Sequence, residues 1–343
     1  MPTPAILMLS ISVAMGTIIT ISSHHWLTVW AGLEMNTLAI LPIISKTKHP
    51  RAIEAATKYF LTQAIASCLL LASSTINAWQ TGSWDILQMT NKLTSTTMTI
   101  AIVMKAGAVP LHFWLPEVMQ GSTMYTAMLI STWQKIAPMA LLYSMSNHMQ
   151  PIIAITLGLL STTFGGWSGI NQTQLRKMMA FSSITNLGWA LIVAPFEPNM
   201  FMISILVYIL MMAPTFPLLA GMTTKTLQNL SASWTTSPTG TTTLMILLLS
   251  IAGLPPLTGF LPKLLILNEL VTQNLTPIAT FTAMTSLLNL VFYLRTAYMT
   301  TLLTSPGSAT SSMKWRRPIT KTKATMLAPT AIFSTSTLPT ITP

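Results

Sequence analysis

Long apolar runs separated by short polar gaps limit the folds open to this chain. A helix of about 20 apolar residues crosses the hydrocarbon core of a bilayer, and eleven runs reach about that length or more. The last run is the weakest, because Thr and Pro are frequent in it. We predict an all-α fold, a polytopic transmembrane bundle of about eleven helices, covering residues 3–22, 25–45, 57–79, 95–120, 123–146, 149–170, 178–195, 199–222, 241–272, 276–302 and 323–341.

The composition excludes a water-soluble surface. Only 7% of the 343 residues are charged and 51% are apolar, and the mean hydropathy is +0.61. Soluble domains carry about a quarter charged residues. We therefore predict one membrane domain over residues 1–343, rather than the two or three soluble domains that the length alone would permit.

The basic residues test the number and direction of the predicted helices. Loops after the even-numbered runs carry most of the cations outside the runs, whereas the opposite loops carry only Lys92. This asymmetry follows the positive-inside rule, so the N-terminus and the basic loops are predicted on the same side. The cations on that side are Lys46, Lys48, Arg51, Arg176, Lys177, Lys225, Lys314, Arg316, Arg317, Lys321 and Lys323.

The formal charge of +11 is explained by this topology rather than by nucleic-acid binding, which we do not expect. The most basic loop, about 303–323, has two interpretations. It is either an ordinary topology signal, which is the favoured one, or a site that binds anionic lipid headgroups.

The chain offers little to a redox group or a metal. It has one cysteine, Cys68, and five scattered histidines without metal-ligand spacing, so neither a disulfide framework nor an iron–sulfur cluster can be built. We expect no bound cofactor and no metal. No positive n-region precedes the apolar run at 5–21, so we predict a retained helix there rather than a cleaved signal.

Four charged residues lie well inside the predicted helices. A charged residue at the centre of a membrane helix costs about 2.5 to 3.5 kcal/mol, and such residues usually mark a functional path. Snorkelling to the headgroups explains charges near helix ends but not these. The four are Glu34, Lys105, Lys135 and Lys263.

Two of these lysines lie beside helix-breaking residues. Gly107 and Pro110 follow Lys105, and a Gly253-Leu-Pro-Pro segment precedes Lys263. Proline lacks the amide hydrogen that a helix needs, so discontinuous helices are predicted at about 95–120 and 241–272. These runs are five helices apart and therefore point in opposite directions, which is typical of inverted-repeat transporters.

The other buried charges extend the same predicted site. Glu34 is the only acid so deep in a run and is the natural partner of a buried lysine, while Lys135 lies three residues before Pro138, which should loosen its helix. Two secondary candidates have simpler alternatives. His112 either relays a proton or is an ordinary buried histidine, and Glu117 either belongs to the path or only faces water near a helix end.

Two motifs carry a family resemblance that extends over essentially the whole chain. Residues 105–117 read K-x-G-x-x-P-L-H-x-W-L-P-E and residues 253–263 read G-x-P-P-x-x-G-F-x-x-K. Together with the buried Glu34, they resemble the antiporter-like membrane subunits of respiratory complex I, in the shortened eleven-helix form of animals. The abundant Met and Thr suit a product of the mitochondrial genome.

The resemblance implies a function and a set of roles. It implies a core membrane-arm subunit of NADH:ubiquinone oxidoreductase in the mitochondrial inner membrane, with the basic loops and N-terminus in the matrix and other membrane subunits as partners. By the same resemblance Glu34 and Lys105 form an ion pair, Lys135 is the middle proton relay and Lys263 the distal one. NADH, FMN, iron–sulfur clusters and ubiquinone are then handled by other subunits.

Two alternatives to this function stay open at the level of the sequence. A cation/proton antiporter subunit would share the broken helices and the buried lysines. A structural spacer subunit would use the buried charges as interface pairs and would not pump.

Overall fold

A computed structural model describes residues 3–89, 91–234, 237–255 and 257–301, and nearly all of that part is helical. Only isolated bridges, at His25–Asp85 and Gln174–Thr226, have extended pairing there. The helices are α1 Thr3–Ser22, α2 Trp26–Ile44, α3 Pro50–Thr81, α4 Lys92–Ala106, α5 Trp114–Gly121, α6 Met124–Ser131, α7 Trp133–Ser144, α8 Pro151–Ile170, α9 Leu175–Val193, α10 Pro198–Gly221, α11 Leu227–Ser233, α12 Pro238–Ala252, α13 Phe260–Thr272 and α14 Thr276–Thr301.

The predicted all-α membrane architecture is confirmed. Within the described ranges six helices are long and apolar enough to cross a membrane, namely α1, α2, α3, α8, α10 and α14. Each coincides with one predicted run. The run at 323–341 and the basic loop at 303–323 lie outside the described residues.

Both predicted discontinuous helices are present. The run at 95–120 is divided into α4 and α5, and the run at 241–272 into α12 and α13. Gly107 and Gly253 end α4 and α12 in the left-handed region, with φ of 84° and 82°. Glycine adopts that conformation without a steric penalty, so the sequence positions of the breaks follow from these two residues.

A third break was not predicted. The run at 123–146 forms two helices, α6 and α7, that meet at Thr132, where φ and ψ are −112° and −74°. The Thr132 amide and hydroxyl both donate to the Met128 carbonyl, at 2.9 Å and 2.7 Å, and close the last turn of α6. Pro138, which the sequence expects to loosen its helix, lies inside α7, so the interruption falls six residues before it. The short helix α11 was also missed.

The residues form two compact units. Among the described residues, unit 1 comprises those up to 161 together with 187–202, and unit 2 comprises 162–186 together with those from 203 to 301. Unit 1 contains the break between α4 and α5, and unit 2 contains the break between α12 and α13. Each unit therefore holds one of the two predicted discontinuous helices.

Close backbone approach packs the helices in each unit. In unit 1, a Cβ built on Gly16 of α1 would lie 2.9 Å from the Gly32 carbonyl of α2. In unit 2, a Cβ built on Gly165 of α8 would lie 2.5 Å from a methyl group of Thr185 on α9. Small residues at such contacts let membrane helices gain van der Waals attraction where lipid provides no hydrophobic driving force.

The tightest of these contacts makes a stability prediction. A Cβ at Gly259 would lie only 1.8 Å from the Ser250 carbonyl oxygen, so Gly259→Ala must displace backbone. We expect a loss of about 1–3 kcal/mol, typical of overpacking, seen as a lower thermal unfolding midpoint of the detergent-solubilised protein. Gly221→Ala is the control, because no atom lies within 4 Å of the position that its new methyl group would occupy. Equal midpoints for both variants would contradict the packing described.

Candidate functional site

The central feature of unit 1 is an ion pair inside the helix bundle. Glu34 projects from α2 and Lys105 from the last turn of α4, and the Lys105 Nζ lies 3.4 Å from the Glu34 Oε1. The lysine side chain is 2% exposed and the glutamate side chain 23% exposed. The structure thus brings together the acid and the lysine that the sequence suggests as partners.

The end of α4 holds Lys105 in place. The Gly107 amide donates to the Val103 carbonyl at 3.0 Å, which closes the last turn. The Gln63 Nε2 reaches across from α3 and donates to the Lys105 carbonyl at 3.4 Å. Because carbonyls at a helix C-terminus carry partial negative charge, the ammonium of Lys105 is favoured at this end of α4.

The carboxylate of Glu34 has a second partner. Thr37, one turn further along α2, donates its hydroxyl to the Glu34 Oε2 at 3.3 Å and to the Glu34 carbonyl at 2.9 Å. The two carboxylate oxygens therefore have different partners, Lys105 for one and Thr37 for the other. The Thr37 hydroxyl has one hydrogen and lies nearer to the carbonyl, so it orients the acid toward the lysine without locking it there.

An uncharged hydrogen-bonded chain lies beside the ion pair. The Gln134 Nε2 donates to the Asn36 Oδ1 at 2.7 Å, and the Tyr59 hydroxyl donates to the Gln134 Oε1 at 3.4 Å. Tyr59 in turn packs edge-on against Trp114 at 5.5 Å between ring centroids. This chain joins α2, α3 and α7, and its central member, Gln134, is the residue that precedes Lys135.

Sequence reasoning missed the uncharged members of this site. Asn36, Tyr59, Gln63 and Gln134 are polar residues inside apolar runs, and Gln63 lies one turn after Tyr59 on the same face of α3. Gln134 could have been identified from the sequence as a site residue, because it is polar and lies next to the buried Lys135. Its partner could not be read from the sequence, because the contact joins residues 98 positions apart.

Lys135 lies deep in unit 1 at the start of α7. The residue is buried, and its amide donates to the Thr132 carbonyl at 3.3 Å across the break between α6 and α7. Each of the three buried lysines therefore lies next to a helix interruption. This regularity is stronger than the sequence suggests, because only two interruptions were predicted.

Lys263 caps a broken helix in unit 2. Its Nζ donates to the Ala252 carbonyl at 2.6 Å, at the C-terminus of α12. A Cβ built on Gly253 would lie 2.8 Å from that Nζ, so only glycine leaves room for the lysine against the backbone. An ammonium at this end of α12 is favoured by the helix dipole, as at the end of α4.

The two secondary candidates lie apart from the ion pair. His112 is buried in the segment between α4 and α5, with Nδ1 3.3 Å from the Pro110 carbonyl oxygen. Glu117 contacts Lys58 at 2.5 Å, and Lys58 also contacts Glu54 at 2.6 Å. These three side chains are 40–60% exposed, so Glu117 belongs to a surface cluster, where ion pairs contribute about 0–1 kcal/mol.

A metal centre has no support in the part of the chain that the structure describes. No group of three or more His, Cys, Asp or Glu side chains is close enough there to bind an ion. The expectation that the chain binds no cofactor stays a prediction.

The sequence from residue 23 to residue 343 matches two family models. Residues 23–289 match the family NADH:quinone oxidoreductase/Mrp antiporter, and residues 290–343 match the NADH dehydrogenase subunit 2 C-terminus. NADH-ubiquinone oxidoreductase chain 2 of Xenopus laevis is 51% identical over 305 residues, 89% of this chain and 88% of the relative. The same protein of Aquarana catesbeiana is 52% identical, over 96% and 94% of the two chains.

Solved structures with the same fold come from multisubunit membrane complexes. A chain of respiratory complex I from Thermus thermophilus has a TM-score of 0.86 at 23% identity, over 98% of this chain and 79% of the other. A chain of the Mrp complex from Dietzia has a TM-score of 0.82 at 15% identity, over 97% and 74%. At these identities the likeness establishes the fold alone.

The buried amide contact predicts a position-dependent effect on stability. Asn36→Leu leaves the Gln134 amide without its acceptor in the interior of unit 1, and an orphaned buried donor costs about 1–3 kcal/mol. We expect a lower thermal unfolding midpoint of the solubilised protein. Gln273→Leu is the control. It removes a side-chain hydrogen bond of similar length, 2.9 Å from the Gln273 amide to Glu269, at an exposed position, and should change the midpoint little. A reversed order of the two effects would contradict the network.

Proposed function

Because this chain belongs to the NADH-ubiquinone oxidoreductase chain 2 family, we propose that its buried charges carry the protons that it translocates. The chain is an antiporter-like subunit of the membrane arm of the respiratory NADH:ubiquinone oxidoreductase, a multi-pass protein of the inner membrane. The observation that carries the residue-level proposal is the Glu34–Lys105 ion pair beside a helix break. We propose a role for each of these residues.

The ion pair acts as the input switch. An unpaired ammonium in the membrane interior costs several kcal/mol, and a carboxylate at contact distance offsets much of that cost. With Glu34 close, Lys105 holds its proton; when the carboxylate moves away, the charged form becomes unfavourable and the proton leaves. The 23% exposure of the Glu34 side chain supports a carboxylate with room to move.

The chain through Asn36 and Gln134 transmits the switch to Lys135. Asn36 lies two residues from Glu34 on α2, and its bond to Gln134 ties that helix to the first turn of α7. A shift of α2 that separates Glu34 from Lys105 also pulls on the turn that carries Lys135. Loss of charge at Lys105 lowers the electrostatic repulsion on Lys135, which then takes up a proton.

Lys263 is the distal relay in the order that the family resemblance gives, after Glu34, Lys105 and Lys135. The Ala252 carbonyl that its Nζ contacts lies at the C-terminus of α12, which is the negative end of that helix dipole. This end stabilises a transient ammonium on Lys263. Carrying one charge across 100 mV requires about 2.3 kcal/mol, which is within the range that moving a buried charge away from its partner provides.

The redox chemistry belongs to other subunits in this proposal. The four relay residues include no electron carrier, so NADH, FMN, iron–sulfur clusters and ubiquinone act elsewhere in the complex. The driving motion then reaches Glu34 through neighbouring membrane subunits. Those neighbours, including other antiporter-like subunits, are the proposed partners of this chain, and nucleic acid is not among them.

Removal of the middle relay tests the mechanism. In the assembled complex, Lys135→Met should lower NADH-driven proton translocation by on the order of tenfold or more, since a positioned proton-transfer group typically contributes at least that much. Lys58→Met is the matched control, because Lys58 lies in the exposed cluster with Glu54 and Glu117. The measurements are proton uptake and NADH oxidation in reconstituted vesicles.

The same pair of variants separates the alternatives. A spacer subunit would keep the ratio of protons translocated to NADH oxidised in Lys135→Met, and this result would end the relay proposal. A free-standing cation/proton antiporter would show sodium- or potassium-dependent proton exchange without NADH.

The proposed orientation places the N-terminus and the basic loops in the matrix, as the positive-inside rule suggests. After Cys68 is replaced by Ser, a cysteine at exposed Lys46 should react with a membrane-impermeant maleimide only from the matrix side. A cysteine at Ser83, in the loop between α3 and α4, should react only from the opposite side. If the cysteine at Lys46 reacted only from the side opposite the matrix and the cysteine at Ser83 only from the matrix, the topology would be the reverse of the proposed one.

A further inference from the structure

An apolar groove runs along the outer surface of unit 2 between α8 and α14. It has a volume of about 490 Å³ and is lined by Phe164 and Trp167 of α8 and by Phe281, Met284 and Leu288 of α14. Trp167 and Met284 are the most open, at 72% and 67% exposure. The proton relay uses none of these residues.

The two helices that form the groove run in the same direction and touch closely. A Cβ on Gly166 would lie 2.9 Å from the Leu288 side chain, and one on Gly169 would lie 3.0 Å from Phe292. The residue numbers of the contacting pairs rise together on α8 and α14, so the two helices are parallel. The absence of side chains at these two positions lets α14 sit against α8 and leaves the larger neighbouring side chains to form the walls of the groove.

A cation lies at one end of the groove. The Arg295 Nη1 donates to the Ile170 carbonyl at 3.0 Å, at the C-terminus of α8. Ile170 lies three residues after Trp167, and therefore on the same side of α8. Arginine has five N–H donors in a fixed fork that suits phosphate, and Arg295 is exposed, so the guanidinium can bind a second acceptor next to the groove.

The chain beyond this end of α8 is basic. Arg176 and Lys177 lie in the first turn of α9, which begins five residues after Ile170, and the Leu175 amide donates to the Lys225 carbonyl at 3.2 Å. The only acid in the sequence after Glu197 is Glu269. It lies near the end of α13, which leads into the opposite end of α14. This end of unit 2 therefore favours an anion over a zwitterion.

The dimensions suit a lipid. Arg295 and Phe281 are separated by about 21 Å along α14. One leaflet of the hydrocarbon core is about 15 Å deep, half of the roughly 30 Å total, so this length is enough for an acyl chain and its headgroup. A phosphate at Arg295 places its acyl chain past Trp167 and into the groove. Tryptophan next to a headgroup is typical of membrane interfaces.

We propose that the groove between α8 and α14 binds an anionic phospholipid, with the phosphate at Arg295 and one acyl chain against Trp167, Phe164 and Met284. The site is independent of the proton relay. Its occupant is a lipid rather than a helix of another subunit, because Arg295, which can bind a phosphate, lies seven residues beyond Leu288 and therefore on the same face of α14 as the apolar groove.

The test uses the intact detergent-solubilised complex and two photoactivatable lipids with the same diazirine-labelled acyl chain, a phosphatidylglycerol and a phosphatidylcholine. Mass spectrometry should find phosphatidylglycerol adducts on peptides that contain Trp167 or Met284, about fivefold more than with phosphatidylcholine, since one cation near the surface favours an anionic lipid by about that factor. Arg295→Gln should remove this preference. Lys46→Gln, the same charge change in unit 1, should leave it intact.

Two results would overturn the proposal. Equal labelling by the two lipids would mean that the groove contacts acyl chains without recognising a headgroup. Adducts absent from these peptides with both lipids would mean that no acyl chain enters the groove. The comparison of headgroups on the unaltered complex decides the question even where Arg295→Gln impairs assembly.

Discussion

Every carbonyl that a broken helix releases inside a membrane needs a donor, and this requirement governs the structure. Water is scarce there, and an unsatisfied backbone group costs several kcal/mol. In this chain side chains meet the need at two breaks: Lys263 donates to the end of α12, and Gln63 donates to the end of α4. The break and its donor depend on each other, because the lysine also needs the partial negative charge that the exposed carbonyls supply.

This mutual dependence connects stability to function. An ammonium that is stabilised by a helix end and, at Lys105, by one carboxylate is held by a few contacts that small helix movements can weaken. A lysine packed only among apolar side chains would stay neutral, and one in a rigid cage of acids would stay charged. In the proposed relay, the breaks beside Lys105, Lys135 and Lys263 give these lysines an environment between the two extremes, which proton uptake and release require.

The two groups of charges in unit 1 show how much burial matters. Lys58 makes shorter contacts with its two acids than Lys105 makes with Glu34. Yet the contacts of Lys58 are exposed, so competition with solvent leaves them little net energy. The Glu34–Lys105 pair is longer but lies in the interior, where its formation or loss decides whether the charged state is tolerated.

The sequence predicted much of this arrangement for definite reasons. Apolar runs reveal membrane helices because length and hydropathy are local properties, and Gly107 and Gly253 reveal breaks because they permit a positive φ. The break at Thr132 was missed because neither glycine nor proline stands there. Pro138 lies inside α7 instead of at the break, since helices tolerate proline when the neighbouring packing compensates.

The sequence by itself determined that the chain is a helical membrane protein, where two helices break, and that Glu34 and three lysines lie within the helices. It also suggested that Glu34 pairs with Lys105. Only the tertiary structure decided how deeply each charge is buried, that Asn36 and Gln134 link α2 to α7, and that Glu117 belongs to the surface. The physical reason is that hydropathy and backbone preference act within a helix. Pairing between helices depends instead on how their faces pack, and that packing is set by contacts between residues far apart in the chain.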